Sequence, residues 1–124
     1  MKTKTEIGRE AEEIAARHLE DDGFVVLWRN VRIGPLEVDL VAKKDDLVVI
    51  VEVRSRGAGS FEGPLASITR EKRRLLLRAS RGIWRGRLKK MDDVARVRID
   101  VIAVTLGEAP AVEWIKGAIT EQDG

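Results

Sequence analysis

An α/β fold, a mixed sheet flanked by helices, follows from three features of the sequence. A helical apolar stripe opens the chain, three β-rich runs follow on connections too short for a crossover helix, and a second long helical stripe precedes two further β-rich runs. The expected order is αβββαββ, in a single domain covering residues 1–124. That length is usual for one domain, and 44% hydrophobic content is enough to close one modest core.

Ile7, Ala11, Ile14, Ala15 and His18 recur at helical spacing, and Asp22-Gly23 ends the first helix. The run from Phe24 to Ile33 is β-rich and is broken by Gly34-Pro35. Residues Leu36 to Ala42 alternate as a second strand, "KKDD" turns the chain, and "VVIVEVRSR" from Val48 to Arg56 forms the third. Gly57, Gly59, Gly63 and Pro64 predict a flexible loop. Ile68, Leu75, Leu76, Ala79 and Ile83 mark one stripe of the second helix, whose end Gly82 and Gly86 weaken. Arg96 to Leu106 reads as the fourth strand and Ala111 to Ile115 as the fifth. Asp100, inside the fourth, is expected to be structural. His18 reads as core or edge packing, and Trp28, Trp84 and Trp114 as apolar anchors rather than base-stacking platforms.

Charged residues make up 35% of the chain, but the formal net charge is only +2. Their distribution says more, because ten basic residues face one acid, Glu71, between Arg70 and Lys90. Such a run is a solvated basic face or a local surface for a polyanion. The absence of cysteine and the single histidine exclude thiolate and histidine-cluster metal sites. Any metal must therefore be held by oxygen, as Mg²⁺, Mn²⁺ or Ca²⁺ are. No apolar run reaches membrane-spanning length and the first residues lack a signal-peptide core, so a cytoplasmic protein without a membrane partner is expected.

The third strand begins as solid core and ends in Glu52 and Arg54, two residues apart on one face. If Asp45-Asp46 are the central residues of the turn, Lys44 faces Leu47, Asp39 faces Glu52, and Glu37 faces Arg54. Val41 and Ile50 then continue that face, while Val38, Leu40, Val51 and Val53 build the other. Two carboxylates directly opposed across a sheet repel each other. A hard divalent cation shared by Asp39 and Glu52 offsets that repulsion and can polarise a phosphate, the core of metal-assisted phosphodiester hydrolysis. Arg54 then serves as a phosphate clamp, since a guanidinium cannot act as a general base. The plainer alternative, a solvated hairpin face knit by ion pairs, fits the spacing as well. The apolar residues preceding Glu52 on its own face, Val48 and Ile50, favour a site.

Six blocks, "EIAARHLEDDGFVVLWRN", "EVDLVA", "VIVEVRSR", "ASITREKRRLLLRAS", "RIDVIAV" and "VEWIKGAI", resemble in order and spacing the YraN family of small bacterial proteins. The family looks like a single-domain branch of the restriction-endonuclease-like superfamily, similar to archaeal Holliday-junction resolvases and to tRNA-splicing endonuclease folds. The resemblance implies an αβββαβ core. It also implies that Asp39 and Glu52 are metal-binding catalytic acids, and that Arg54 stands at a position usually held by lysine, where it can only stabilise charge. Glu12 resembles the helix-one glutamate that resolvase-like members add to the metal site. The function implied is a Mg²⁺- or Mn²⁺-dependent nuclease acting on DNA rather than RNA, branched or otherwise structured DNA included. Arg70, Lys72, Arg73 and Arg74 would hold the backbone, with Lys72 and Arg73 nearest the acids. Junction-cleaving relatives suggest a homodimer. The rival reading keeps the fold and the nucleic acid or protein partner but drops the chemistry.

Overall fold

Thr3 opens the first helix by accepting a hydrogen bond from the Glu6 N–H at 3.1 Å, and its hydroxyl donates to the Glu6 carboxylate at 3.1 Å. In the computed structural model, which describes residues 1–57 and 63–123, this helix is α1 (Lys4–Asp21). Gly23, at φ +94°, closes it. The Gly23 N–H donates to the Glu20 carbonyl and the Phe24 N–H to the Leu19 carbonyl, the paired bonds of a Schellman stop.

Three antiparallel strands follow, β1 (Val25–Ile33), β2 (Leu36–Lys44) and β3 (Leu47–Arg56). A helix, α2 (Arg70–Gly86), then carries the chain over to β4 (Arg96–Thr105), which pairs parallel to β3, and β5 (Ala111–Ile119) completes the sheet antiparallel to β4. The strand order is β1-β2-β3-β4-β5, so β3 is central and bears the parallel joint of a mixed sheet. The α/β class and the αβββαββ order are as the sequence predicts. Part of the glycine loop after Arg56, residues 58–62, lies outside the described residues.

One helix covers each face. Ala11, Ala15, Ala16 and Leu19 of α1 pack on Leu40, Val49, Val51 and Ile102. Leu76, Leu77, Ala79 and Ile83 of α2 pack on Val38, Val41, Val48 and Ile50. Among the described residues no helix is long and apolar enough to cross a membrane.

Four expectations need correction. Val38 belongs with Val41 under α2, not with Leu40 under α1, so the alternation of β2 breaks between residues 38 and 40. Gly82 does not weaken the helix end: α2 runs through it, and a Cβ there would meet Ile33 Cγ2 at 3.0 Å. The glycine lets helix and strand approach closely, and Gly82→Val should cost about 1–3 kcal/mol by overpacking, read as a lowered urea midpoint. β5 extends to Ile119 because Gly117, at φ +61°, is a bulge within the strand rather than its end. Trp84, 36% exposed, is not a core anchor, whereas Trp28 and Trp114 are partly buried against the two cores.

Candidate acid site

The turn at Asp45-Asp46 sets the register. Asp45 takes φ +54°, which aspartate tolerates, and Lys44 pairs with Leu47 as the count requires. The ladder between β2 and β3 runs from there to Leu40↔Val51 and stops one step short of Asp39 and Glu52. Beyond that point the Asp39 carboxylate substitutes for the ladder, its Oδ2 accepting from the Val53 N–H at 2.8 Å. On the neighbouring strand Asn30 holds φ +52°. The break in β2 alternation therefore coincides with a left-handed residue in β1, and Asp39 lies where the strands part.

Glu52 lies on the α2 face and is 3% exposed. Its Oε1 is 3.6 Å from Arg54 Nη1 and 3.6 Å from Lys72 Nζ, and Lys72 comes from the first turn of α2. Thr69 fixes that turn by accepting from the Lys72 N–H at 3.1 Å. Glu52 Oε2 is buried without a hydrogen-bond partner among the described residues. An orphaned carboxylate oxygen beside two cations is costly unless something binds it.

The electrostatics follow from that crowding. Burial pushes the Asp39 carboxyl up to about 8, the Glu52 charge adds to the rise, the Val53 N–H opposes it, and Glu12 adds a further push. Burial also raises Glu52, against the pull of Lys72 and Arg54. Asp39 thus interacts with both other acids named from the sequence, Glu52 and Glu12. Glu12 is itself steered by Asn30, whose Nδ2 donates to Glu12 Oε1 at 3.2 Å and to Glu37 Oε1 at 3.0 Å. Asn30 was not among the residues singled out from the sequence. The only signal was an asparagine within a β-rich run, a residue type that accepts positive φ.

Arg54 does not meet Glu37. Its Nε donates to Ser67 Oγ at 3.3 Å and its Nη2 to the Ser67 carbonyl at 3.4 Å, while Glu37 pairs with Arg32 across β1 and takes the Asn30 amide. Arg73 is committed elsewhere, donating to the carbonyls of Ile68 and Leu65 and to Asp123. Arg70 and Arg74 are exposed. His18 is exposed and meets the Trp114 ring edge-on at 5.7 Å, which leaves edge packing and removes core packing.

Among the described residues no group of three or more His, Cys, Asp or Glu side chains is arranged to hold a metal ion. Mg²⁺ is more often bound through one or two carboxylates and water. Asp39 and Glu52 are such a pair, and the Glu52 oxygen without a hydrogen-bond partner among the described residues fits a hard cation's preference for oxygen.

Residues 11–104 match the family model described as "Uncharacterised protein family UPF0102". The chain belongs to this UPF0102 (YraN) family. It is 41% identical over 115 residues to the UPF0102 protein sce2912 of Sorangium cellulosum, covering 90% of this chain and 79% of that one. A UPF0102 protein of Dechloromonas aromatica is 40% identical over 121 residues, covering 98% and 94% of the two chains. The SPO1766 protein of unknown function from Silicibacter pomeroyi, a solved structure, aligns over 98% of this chain and 80% of that one at 15% identity, with a TM-score of 0.39. The UPF0102 match spans both acid-bearing strands and the whole of α2, so the candidate site lies within the part of the chain that carries the family likeness.

Proposed function

We propose that this UPF0102 protein is a metal-dependent nuclease acting on DNA, branched or structured DNA included. The observation that carries the reading is the acid pair. Asp39 and Glu52 are forced together at the parting of β2 and β3, with one carboxyl pushed up to about 8 and one buried oxygen unsatisfied. Asp39 and Glu52 would hold Mg²⁺ or Mn²⁺, and Glu12 would orient Asp39. A cation so held supplies Lewis acidity toward a phosphate oxygen and lowers the pKa of bound water.

The chain's own residues do the rest. Lys72, a point charge with rotatable donors, and Arg54, anchored on Ser67, converge on Glu52 and can stabilise negative charge developing on a phosphate. Asn30 keeps Glu12 turned toward the acids. The same two cations support a second reading, a nucleic-acid-binding module without chemistry, because they already offset part of the Glu52 charge.

Incubation with duplex, single-stranded and four-way-junction DNA in Mg²⁺ or Mn²⁺, beside an Asp39→Ala/Glu52→Ala variant, separates the two. Metal-dependent cleavage by the wild type, reduced at least about 1000-fold in the variant, is expected if these acids carry the reaction. Equal cleavage by both proteins, or none by either, removes the catalytic reading. Salt-sensitive binding that survives the double substitution then leaves the binding module.

A further inference from the structure

The outer face of α2 carries a feature that the acid site does not use. Arg70, Arg74, Arg78, Arg81 and Arg85 fall within an arc of about 80° at 100° per residue and extend over about 22 Å of helix. All five are exposed. Arg81 pairs with the exposed Glu121, and the other four have no hydrogen bond or ion pair among the described residues. Glu71 borders the stripe without forming an ion pair among those residues. Like charges four residues apart destabilise a helix, and beyond the Arg81–Glu121 pair and the place of Arg85 in the last turn nothing among the described residues offsets that cost. Lys72, which reaches Glu52, lies on the opposite side of α2.

At its C-terminal end the stripe meets an aromatic. Trp84, 36% exposed, borders a cavity of about 560 Å³ lined by Leu77, Val97, Ile99 and Ile119 together with Arg85 and the paired Arg81 and Glu121. A row of five guanidinium groups, four of them without an ion pair among the described residues, leading to an exposed indole beside an apolar patch matches what a single strand offers, successive phosphates and an unpaired base with a free face. A duplex keeps its bases stacked and offers the indole nothing.

We infer that the Arg70–Arg85 stripe and the Trp84 cavity form a binding site for a single-stranded nucleic-acid segment, separate from the Asp39–Glu52 site. The inference goes beyond the proposed nuclease activity and does not require it. It gives the protein two nucleic-acid contacts on opposite sides of α2, one at the acids and one outside.

The test is titration of the full chain with a deoxythymidine oligonucleotide, followed by tryptophan fluorescence and repeated across salt concentrations. Stacking on Trp84 quenches its emission in the wild type, and the quench disappears in Trp84→Phe. Trp84→Ala weakens binding by roughly tenfold or more, and phenylalanine, which still stacks, recovers most of that loss. Arg74→Gln/Arg78→Gln/Arg85→Gln lowers affinity and reduces the slope of log K against log salt by about 2, at about 0.7 per phosphate contact. The corresponding triple lysine variant keeps most of the slope. Circular-dichroism spectra at the titration temperature should match the wild type and certify the fold of each variant.

Asp39→Ala/Glu52→Ala should bind the oligonucleotide as the wild type does. Failure of the nuclease reading therefore leaves this result intact, and the reverse holds too. The inference is overturned if affinity is indifferent to both the arginine and the Trp84 substitutions, if the quench persists in Trp84→Phe, or if the acid-site variant alone loses the oligonucleotide.

Discussion

Asp39→Asn is expected to stabilise the folded chain at pH 9 while leaving it nearly unchanged at pH 5. In the native state burial and the Glu52 charge push the Asp39 carboxyl up to about 8, whereas in the unfolded chain it titrates near the ordinary value of about 4. Between these limits the folded state binds a proton that the unfolded state has released. Stability from this group is therefore fully present below about pH 4 and falls as pH rises, levelling off above about pH 8. The slope is bounded at about 1.4 kcal/mol per pH unit, which sums to an upper limit of about 5 kcal/mol. Water entry and local relaxation reduce it, and about 1–3 kcal/mol is the expected gain for asparagine at pH 9. Asparagine keeps an oxygen that can accept from Val53 and carries no charge to repel Glu52. Thermal melts of both proteins at pH 5, 7 and 9, with a chelator present, check this. Melting temperatures that run parallel across the range would show that Asp39 is ionised in the folded chain and would remove burial as the controlling force.

The hairpin register was legible because one short turn, Asp45-Asp46, fixes every pair outward by counting, and Lys44↔Leu47 pairs accordingly. The faces of α1 and α2 were legible from apolar spacing, although Leu77 and the Thr69 cap were not singled out. The strand break at Asp39 was not legible. Period-2 alternation assigns Val38 and Leu40 to one face, and only the positive φ of Asn30 and the side-chain bond from Asp39 to Val53 separate them.

The partners of Arg54 and Arg73 were equally hidden. Arg54 reaches Ser67 across the connection to α2, and Arg73 reaches Asp123, a residue fifty positions away. Such choices are made by the packing of α2 on the sheet, which spacing along one element does not encode. Lys72 differs: the sequence places it with Arg73 nearest the acids, and its Nζ stands 3.6 Å from Glu52 Oε1. Its approach to Glu52 follows from which way the first turn of α2 faces once Thr69 caps it.

Asp100→Ala is expected to produce the largest loss of stability, about 3–5 kcal/mol, although the residue touches none of the acids. Its carboxylate is fully buried. Oδ1 accepts from Arg98 Nε at 2.8 Å and the Gly117 N–H at 2.9 Å, and Oδ2 accepts from Arg98 Nη2 and Trp114 Nε1, each at 2.9 Å. Alanine leaves the Gly117 and Trp114 donors without their partner, opens a cavity, and strands the Arg98 guanidinium, which is 30% exposed and can turn to water. Arg98→Met should therefore cost less than Asp100→Ala. Urea unfolding measures both, and a loss below about 1 kcal/mol for Asp100→Ala would mean that the bulge at Gly117 closes β5 without the carboxylate.

The consequence reaches the site through the sheet. Asp100 pairs with Val51 and its neighbour Val101 pairs with Glu52, so the network that pins β5 to β4 also backs the strand presenting the buried acid. A melt of Asp100→Ala that broadens as well as shifts would indicate that β4 and β5 loosen before the β1–β3 hairpins. The acid site would then lose its rigid support ahead of global unfolding.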